Sequence, residues 1–346
     1  MIVTKGAFRS LYVPILIEQL FILLMGQADT LMLNSYSTNA VAASGMTSQI
    51  LMLITFLITI IHVGTNIRIV HLKAHQTSMI TKEIFHNLLF NIIVSIVFTL
   101  VVGMVFSPLL QLFQVPKDIF NLTYQFGLVI LSVLTLTSTQ MYIGTVLRVM
   151  NYAAIATRIT VISNLTNIIL NAFVLFIIPD LVGNPVLAVA YATAISRLLG
   201  CLLAFIALLK IYRPKLHYFK INFKILYQVS TLGIPSAGEQ ISYNFAQTFT
   251  TAFIAMLGTQ VIAAKSVATV LSGLSFSCAM AFSAACQIYL GHFIARHRYS
   301  VLKKTVLRSI WFNVIQSLIF MVFGLVVFVA VCRWLQVDEQ PYHLIF

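Results

Sequence analysis

Three carboxylates, Glu18, Asp29 and Glu239, interrupt long runs of apolar residues. A charged side chain in the middle of a bilayer costs about 2.5 kcal/mol or more, so each acid there calls for a bound cation, a proton or a hydrogen-bonding neighbour. A second polar set is spaced for a helix. Asn164, Asn167 and Asn171 stand at i, i+3 and i+7, which lines their amides along one face. Thr193 adds a hydroxyl in the next apolar run. Carboxylate, amide and hydroxyl oxygens are the ligands a hard cation takes in exchange for water. The same groups also join helices by hydrogen bonds with no ion present, and residue types alone leave both readings open.

Glu18 and Asp29 are 11 residues apart, close to three helical turns, so they share a helix face about 16 Å apart. Pro14 lies upstream on that face and removes a backbone hydrogen bond, which lets the helix bend there. An ionisable group on a bendable helix is a candidate conformational trigger. The pairs Glu18-Gln19 and Glu239-Gln240 are equally readable as interhelical glue. Tyr243, Phe245, Phe249, Phe253 and Phe276 are candidates to line a cavity for aromatic cations, or simply to face lipid. The eight histidines show no metal-binding spacing and read as solvated loop or interface groups. The four cysteines form no ligand or disulfide framework. No Gly-rich phosphate loop or catalytic triad is present, so neither ATP-driven pumping nor enzymatic catalysis is expected, and no cofactor is implied.

The elements that carry these residues follow from composition. The chain is 60% hydrophobic and 8% charged, whereas a soluble domain carries roughly 25% charged residues. Lipid must be the solvent. Nine stretches, over residues 11–33, 46–69, 84–106, 119–146, 155–178, 186–209, 226–255, 261–289 and 306–331, reach the roughly 20 residues that span a bilayer as helix. The expected fold is all-α and polytopic. The first stretch is too long and too acidic for a signal peptide, despite Ala40-Val41-Ala42 downstream. A net charge of +13 does not mean nucleic acid here, because the basic residues form short clusters between apolar runs rather than one patch. Seventeen of the 21 Lys and Arg fall on one side if the spans alternate. That bias predicts a cytoplasmic N-terminus.

The chain also resembles itself. At an offset of 221 residues Pro14 pairs with Pro235, Glu18 with Glu239, Gln19 with Gln240, Ala42-Ala43 with Ala263-Ala264, His71 with His292 and Lys82 with Lys303. At 222, Asn91 pairs with Asn313, Ser95 with Ser317, and Gln114-Val115 with Gln336-Val337. Six spans separate the copies, so both enter the membrane in the same direction, as parallel repeats do in transporters. The expected lobes are 1–215, with six helices, and 216–346, with three helices and a stub. By repeat arithmetic the second lobe is short by roughly 90 residues, or three helices.

Pro14, Asp29-Thr30 and Ala42-Ala43 together resemble the first-helix motif of the MATE (multidrug and toxic compound extrusion) exporters. Leu147-Arg148-Val149-Met150, Asn164, Asn167, Leu170-Asn171 and Ala192-Thr193-Ala194-Ile195-Ser196-Arg197 resemble that family's fourth-to-sixth-helix region. The resemblance implies two six-helix lobes, and export of drugs or other amphipathic organic compounds driven by entry of Na+ or H+. It casts Asp29 as the ion-coupling carboxylate, Asn167, Asn171 and Thr193 as its companions, and Pro14 as the helix bend. Glu18, Glu239, Gln240 and Tyr243 are candidates for substrate or coupling roles. The expected partners are a small organic substrate and the lipid bilayer, with the chain a monomer in the cell membrane. Some relatives carry an acid where Asn171 stands, and the family's seventh-helix acid often lies at the position of Tyr243. Two other readings remain: a lipid-linked oligosaccharide flippase, disfavoured because only Arg197 lies deep in a span, and a non-transporting membrane fragment.

Overall fold

A backbone in lipid must satisfy its own polar groups, which long apolar runs do as helices. The computed structural model describes residues 5–179, 183–215, 218, 222–255 and 259–334, with side chains left out at 254–271, 327–334 and a few isolated positions. Ala263-Ala264 and Gln336-Val337 of the repeat, with Lys265, His217, His343, Cys332 and Arg333, fall outside the described side chains. Ten α-helices follow in order: α1 (Lys5–Tyr36), α2 (Thr38–His75), α3 (Ile80–Leu112), α4 (Lys117–Ser132), α5 (Leu134–Val149), α6 (Ala153–Ala172), α7 (Pro185–Ile211), α8 (Phe223–Ala255), α9 (Thr259–Ala295) and α10 (Tyr299–Trp334).

Each expected span is built as helix, with two departures. The fourth is split into α4 and α5, bent by 45° at Val133. No proline causes this break. Ser132 Oγ donates to the Val129 carbonyl at 2.7 Å and Thr137 Oγ1 to the Val133 carbonyl at 3.1 Å, the back-bonding that bends helices. The other departure is α8. Seven helices among the described residues are long and apolar enough to cross a membrane, or eight with α4–α5 as one span. Helix α8 has 33 residues, but Gln228, Ser236, Glu239 and Gln240 make it more polar than those.

Three helix ends close in one way. The Val115, Tyr152 and Arg298 N–H groups reach back to the Leu110, Leu147 and Phe293 carbonyls at 3.1, 2.7 and 3.0 Å. The residue before each, Gln114, Asn151 and His297, is left-handed with φ of 51°, 69° and 54°. This 6→1 closure satisfies the last carbonyls of α3, α5 and α9. Helix α7 starts on Asn184, whose side chain accepts from the Val186 and Leu187 N–H groups, with Pro185 at the first helical position.

The chain divides by packing into two compact units: Leu24–Ala237, and Met1–Leu23 with Gly238–Phe346. The divisions fall inside α1 and α8. In the first unit, Ile58, Phe106, Leu110 and Leu131 anchor the apolar core. Also in it, α2 meets the start of α8 so closely that a Cβ on Gly64 would overlap the Val229 carbonyl, and one on Gly233 the Ile60 carbonyl. In the second unit α9 packs on α10, where Ser275 Oγ donates to the Ser317 carbonyl at 2.9 Å. Tyr12 donates to Gln316 Oε1 at 2.5 Å within a group of rings that includes Phe8, Phe282 and Tyr289.

Candidate functional site

The first unit brings the asparagine stripe of α6 against α1 and α7 as three polar rungs. At the first, Asn171 Nδ2 donates to the Asp29 carboxylate at 3.0 Å. At the second, Asn167 Nδ2 donates to Thr193 Oγ1 at 3.0 Å, and that hydroxyl donates to the Val189 carbonyl at 3.0 Å. At the third, Arg197 Nη1 donates to Asn164 Oδ1 at 3.3 Å. All three asparagines are buried, while Asp29, Thr193 and Arg197 are half-buried. Thr193 and Arg197 are one turn apart on α7, so the helix that supplies the hydroxyl also supplies a permanent positive charge. Ser163 Oγ holds the two helices together by donating to the Ser196 carbonyl at 2.8 Å.

One atom of this site is left over. Asn171 is 2% exposed and its Oδ1 has no hydrogen-bond partner. Burying an amide oxygen unpaired costs about 1–3 kcal/mol, a cost usually met where a ligand, ion or water is accommodated. The four residues Asp29, Asn167, Asn171 and Thr193 thus offer one carboxylate, two amides and a hydroxyl within one helix triplet. No group of three or more His, Cys, Asp or Glu comes together among the described residues. The donors present fit a hard cation or a proton better than a soft metal.

The remaining candidates lie in the other unit. Pro14 is inside α1, which runs unbroken from Lys5 to Tyr36. Glu18 is buried, at 3% exposure. Glu239 is exposed. The Gln240 carbonyl accepts from Asn244 Nδ2 at 2.8 Å, and Tyr243 stacks on Phe276 with ring centres 5.6 Å apart. Tyr243, Phe245, Phe249 and Phe253 are all exposed.

Two further polar clusters were not anticipated from the residues. His62 and His86 are buried rather than solvated. A ring nitrogen of His62 lies 3.0 Å from Asn91 Oδ1, which also accepts from Ser138 Oγ at 2.9 Å. This joins α2, α3 and α5. The second cluster is the ion pair of Arg68 with Glu83, to which Gln228 of α8 adds an acceptor. Arg68 is one of the basic residues that entered the topology count. With Arg68 half-buried and Glu83 buried, the pair links α2 to α3.

A helical multi-pass membrane protein with a polar ladder and a carboxylate at its end is a candidate transporter. Comparison with known proteins gives the family. The sequence model of the MatE family matches residues 14–173 and 235–344, two segments that begin at the repeated prolines Pro14 and Pro235. The chain is 30% identical over 309 residues to an uncharacterized transporter, YisQ, of Bacillus subtilis, spanning 87% of this chain and 67% of that one. Among solved structures, a MOP superfamily transporter of Pyrococcus furiosus superposes with a TM-score of 0.86 at 21% identity, covering 98% of this chain and 76% of that one. A mutant of the Vibrio cholerae MATE transporter VcmN does so with a TM-score of 0.87 at 18% identity, covering 100% and 80%. The chain belongs to the MatE family and is a membrane transporter.

Proposed function

We propose that this chain works as a cation-coupled antiporter, with Na+ or H+ entry driving export of amphipathic organic compounds, and that Asp29 is its coupling carboxylate. The observation that carries this reading is the Asn171 amide, which donates one end to Asp29 at 3.0 Å and leaves the other, Oδ1, buried and unpartnered. In the state described, the NH2 group compensates an ionised Asp29. A half-turn of the same amide presents oxygen instead, as a bound cation requires. Asn167 and Thr193 supply further oxygens one turn along. A single side chain therefore serves both the loaded and the unloaded site. Neutralising Asp29 removes a charge that is costly in lipid, and that difference is available to shift the balance between two arrangements of α1. Binding energy moves such an equilibrium only through differential affinity.

The test is Asp29→Asn in the chain reconstituted in proteoliposomes. Efflux of a cationic dye driven by an inward Na+ or proton gradient should disappear, together with binding of 22Na+ or gradient-linked proton release. Efflux that persists at the parent rate removes Asp29 from coupling.

A further inference from the structure

Helices α6 and α7 carry a groove of about 280 Å³ on their flank, near the lower end of the size range of small-molecule sites. Its walls are apolar, formed by Ile155 and Ile159 of α6 with Leu203 and Ala207 of α7, and two cations, Arg158 and Lys210, complete the lining. Because α6 and α7 are antiparallel neighbours, the start of one meets the end of the other. Arg158 is in the second turn of α6 and Lys210 in the last turn of α7. In the register set by Ser163 on Ser196 and Asn167 on Thr193, Arg158 is level with Leu203 and Lys210 lies further toward the end of α7, so both charges stand on the half of the groove away from the ladder. That half precedes Arg213 and Lys215 and is the side where the basic residues concentrate.

The groove does not belong to the polar ladder. At about 100° per residue, Ile155, Ile159 and Ile162 fall on one face of α6 and Asn164, Asn167 and Asn171 on the opposite one. Two further lining side chains, Ile162 and Ile206, are 45% and 50% exposed, as lipid-facing residues are. Apolar walls edged on one half by two cations match the two parts of a phospholipid: acyl chain along the helices, anionic headgroup at the basic edge. Basic pockets between transmembrane helices on the cytoplasmic side have this chemistry.

We infer that the α6–α7 groove is a binding site for an acidic phospholipid of the cytoplasmic leaflet, its phosphate held between Arg158 and Lys210 and one acyl chain lying against Ile159, Leu203 and Ala207. An occupied groove braces the outer side of the helix pair whose inner side carries the ladder. The assignment stands independently of the coupling role of Asp29.

The experiment is native mass spectrometry of the full chain, released from detergent after equilibration with phosphatidylglycerol or with phosphatidylcholine of the same chains. The parent should retain phosphatidylglycerol preferentially. Arg158→Gln with Lys210→Gln should lower that retention about tenfold or more, whereas Arg213→Gln with Lys215→Gln, equally basic but outside the groove, should not. Ala207→Phe fills the apolar part and should lower retention with the charges intact. The site is overturned if the Arg158/Lys210 variant keeps the parent's phosphatidylglycerol. It is equally overturned if the Arg213/Lys215 control loses as much, which signals diffuse attraction, or if Ala207→Phe changes nothing, which signals adsorption without a groove.

Discussion

Asn171 is where the chemistry of this chain departs most sharply from an all-carboxylate ion site. Asp29 supplies one negative charge, and Arg197, one turn beyond Thr193, sets a permanent positive charge on the same ladder. On the proposed coupling role, such a site is expected to hold a cation weakly. Replacing Asn171 by Asp puts a second carboxylate about 3 Å from Asp29, and two carboxylates that close are both ionised only when a cation lies between them. Asn171→Asp should therefore tighten 22Na+ binding to the purified protein by at least about tenfold, a change of 1.4 kcal/mol, well below the roughly 4 kcal/mol of a close charge pair near a protein surface. Arg197→Gln should act in the same direction by removing the opposing charge. Equal or weaker binding in both variants shows that the ladder is interhelical glue. The stripe was legible in the sequence because a 3.6-residue period places Asn164, Asn167 and Asn171 on one face before any partner is known. The Arg68–Glu83 pair was not. Its members are 15 residues apart across a helix turn, Gln228 is 160 residues further along, and charges near helix ends carry a topological meaning that hides a structural one.

At the scale of elements, a close glycine contact in the first unit is where α2 meets α8. The contact is reciprocal. Gly64 of α2 accommodates the Val229 carbonyl, and one turn away Gly233 of α8 accommodates the Ile60 carbonyl. Small residues let helix backbones approach in lipid, where no hydrophobic force drives association. A methyl at either position meets backbone rather than a side chain that can swing aside. Gly64→Ala and Gly233→Ala should each cost about 1–3 kcal/mol, as overpacking does, and lower the thermal midpoint of the detergent-solubilised protein. Gly26→Ala is the control, because nothing lies within 4 Å of its missing Cβ, and alanine is the better helix former. Equal midpoints for all three would mean that α2 and α8 yield at this contact. Helix existence was readable from apolar run length alone. The break at Val133 was not, because no proline marks it, and the Ser132 and Thr137 hydroxyls turn onto backbone carbonyls there as those of Thr55 and Thr59 do in the unbroken α2. The low hydrophobicity of α8 was visible residue by residue, but a length criterion passes over it.

At the scale of the molecule, the repeat and the basic residues say how the chain is threaded. The two family segments begin 221 residues apart, at Pro14 and Pro235, the spacing of the internal repeat. Such a repeat keeps its direction only if an even number of crossings separates its copies, and that parity depends on the bent pair. With α4 and α5 together making one crossing, Lys117 follows three crossings and Lys215 follows six, so they face opposite sides. With α4–α5 re-entrant, Lys117 and Lys215 face the same side. The excess of Lys and Arg predicts that the N-terminus and Lys215 are cytoplasmic and Lys117 exterior. Both lysines are exposed, so single cysteines introduced there report directly, in a background where the four native cysteines are replaced by alanine. Added to intact cells, a membrane-impermeant maleimide should label Lys117→Cys and spare Lys215→Cys until the membrane is permeabilised. Labelling of Lys215→Cys alone inverts the protein in the membrane. Equal labelling of the two turns α4–α5 into a hairpin that enters and leaves on one side, and with it the parallel relation of the repeats is lost.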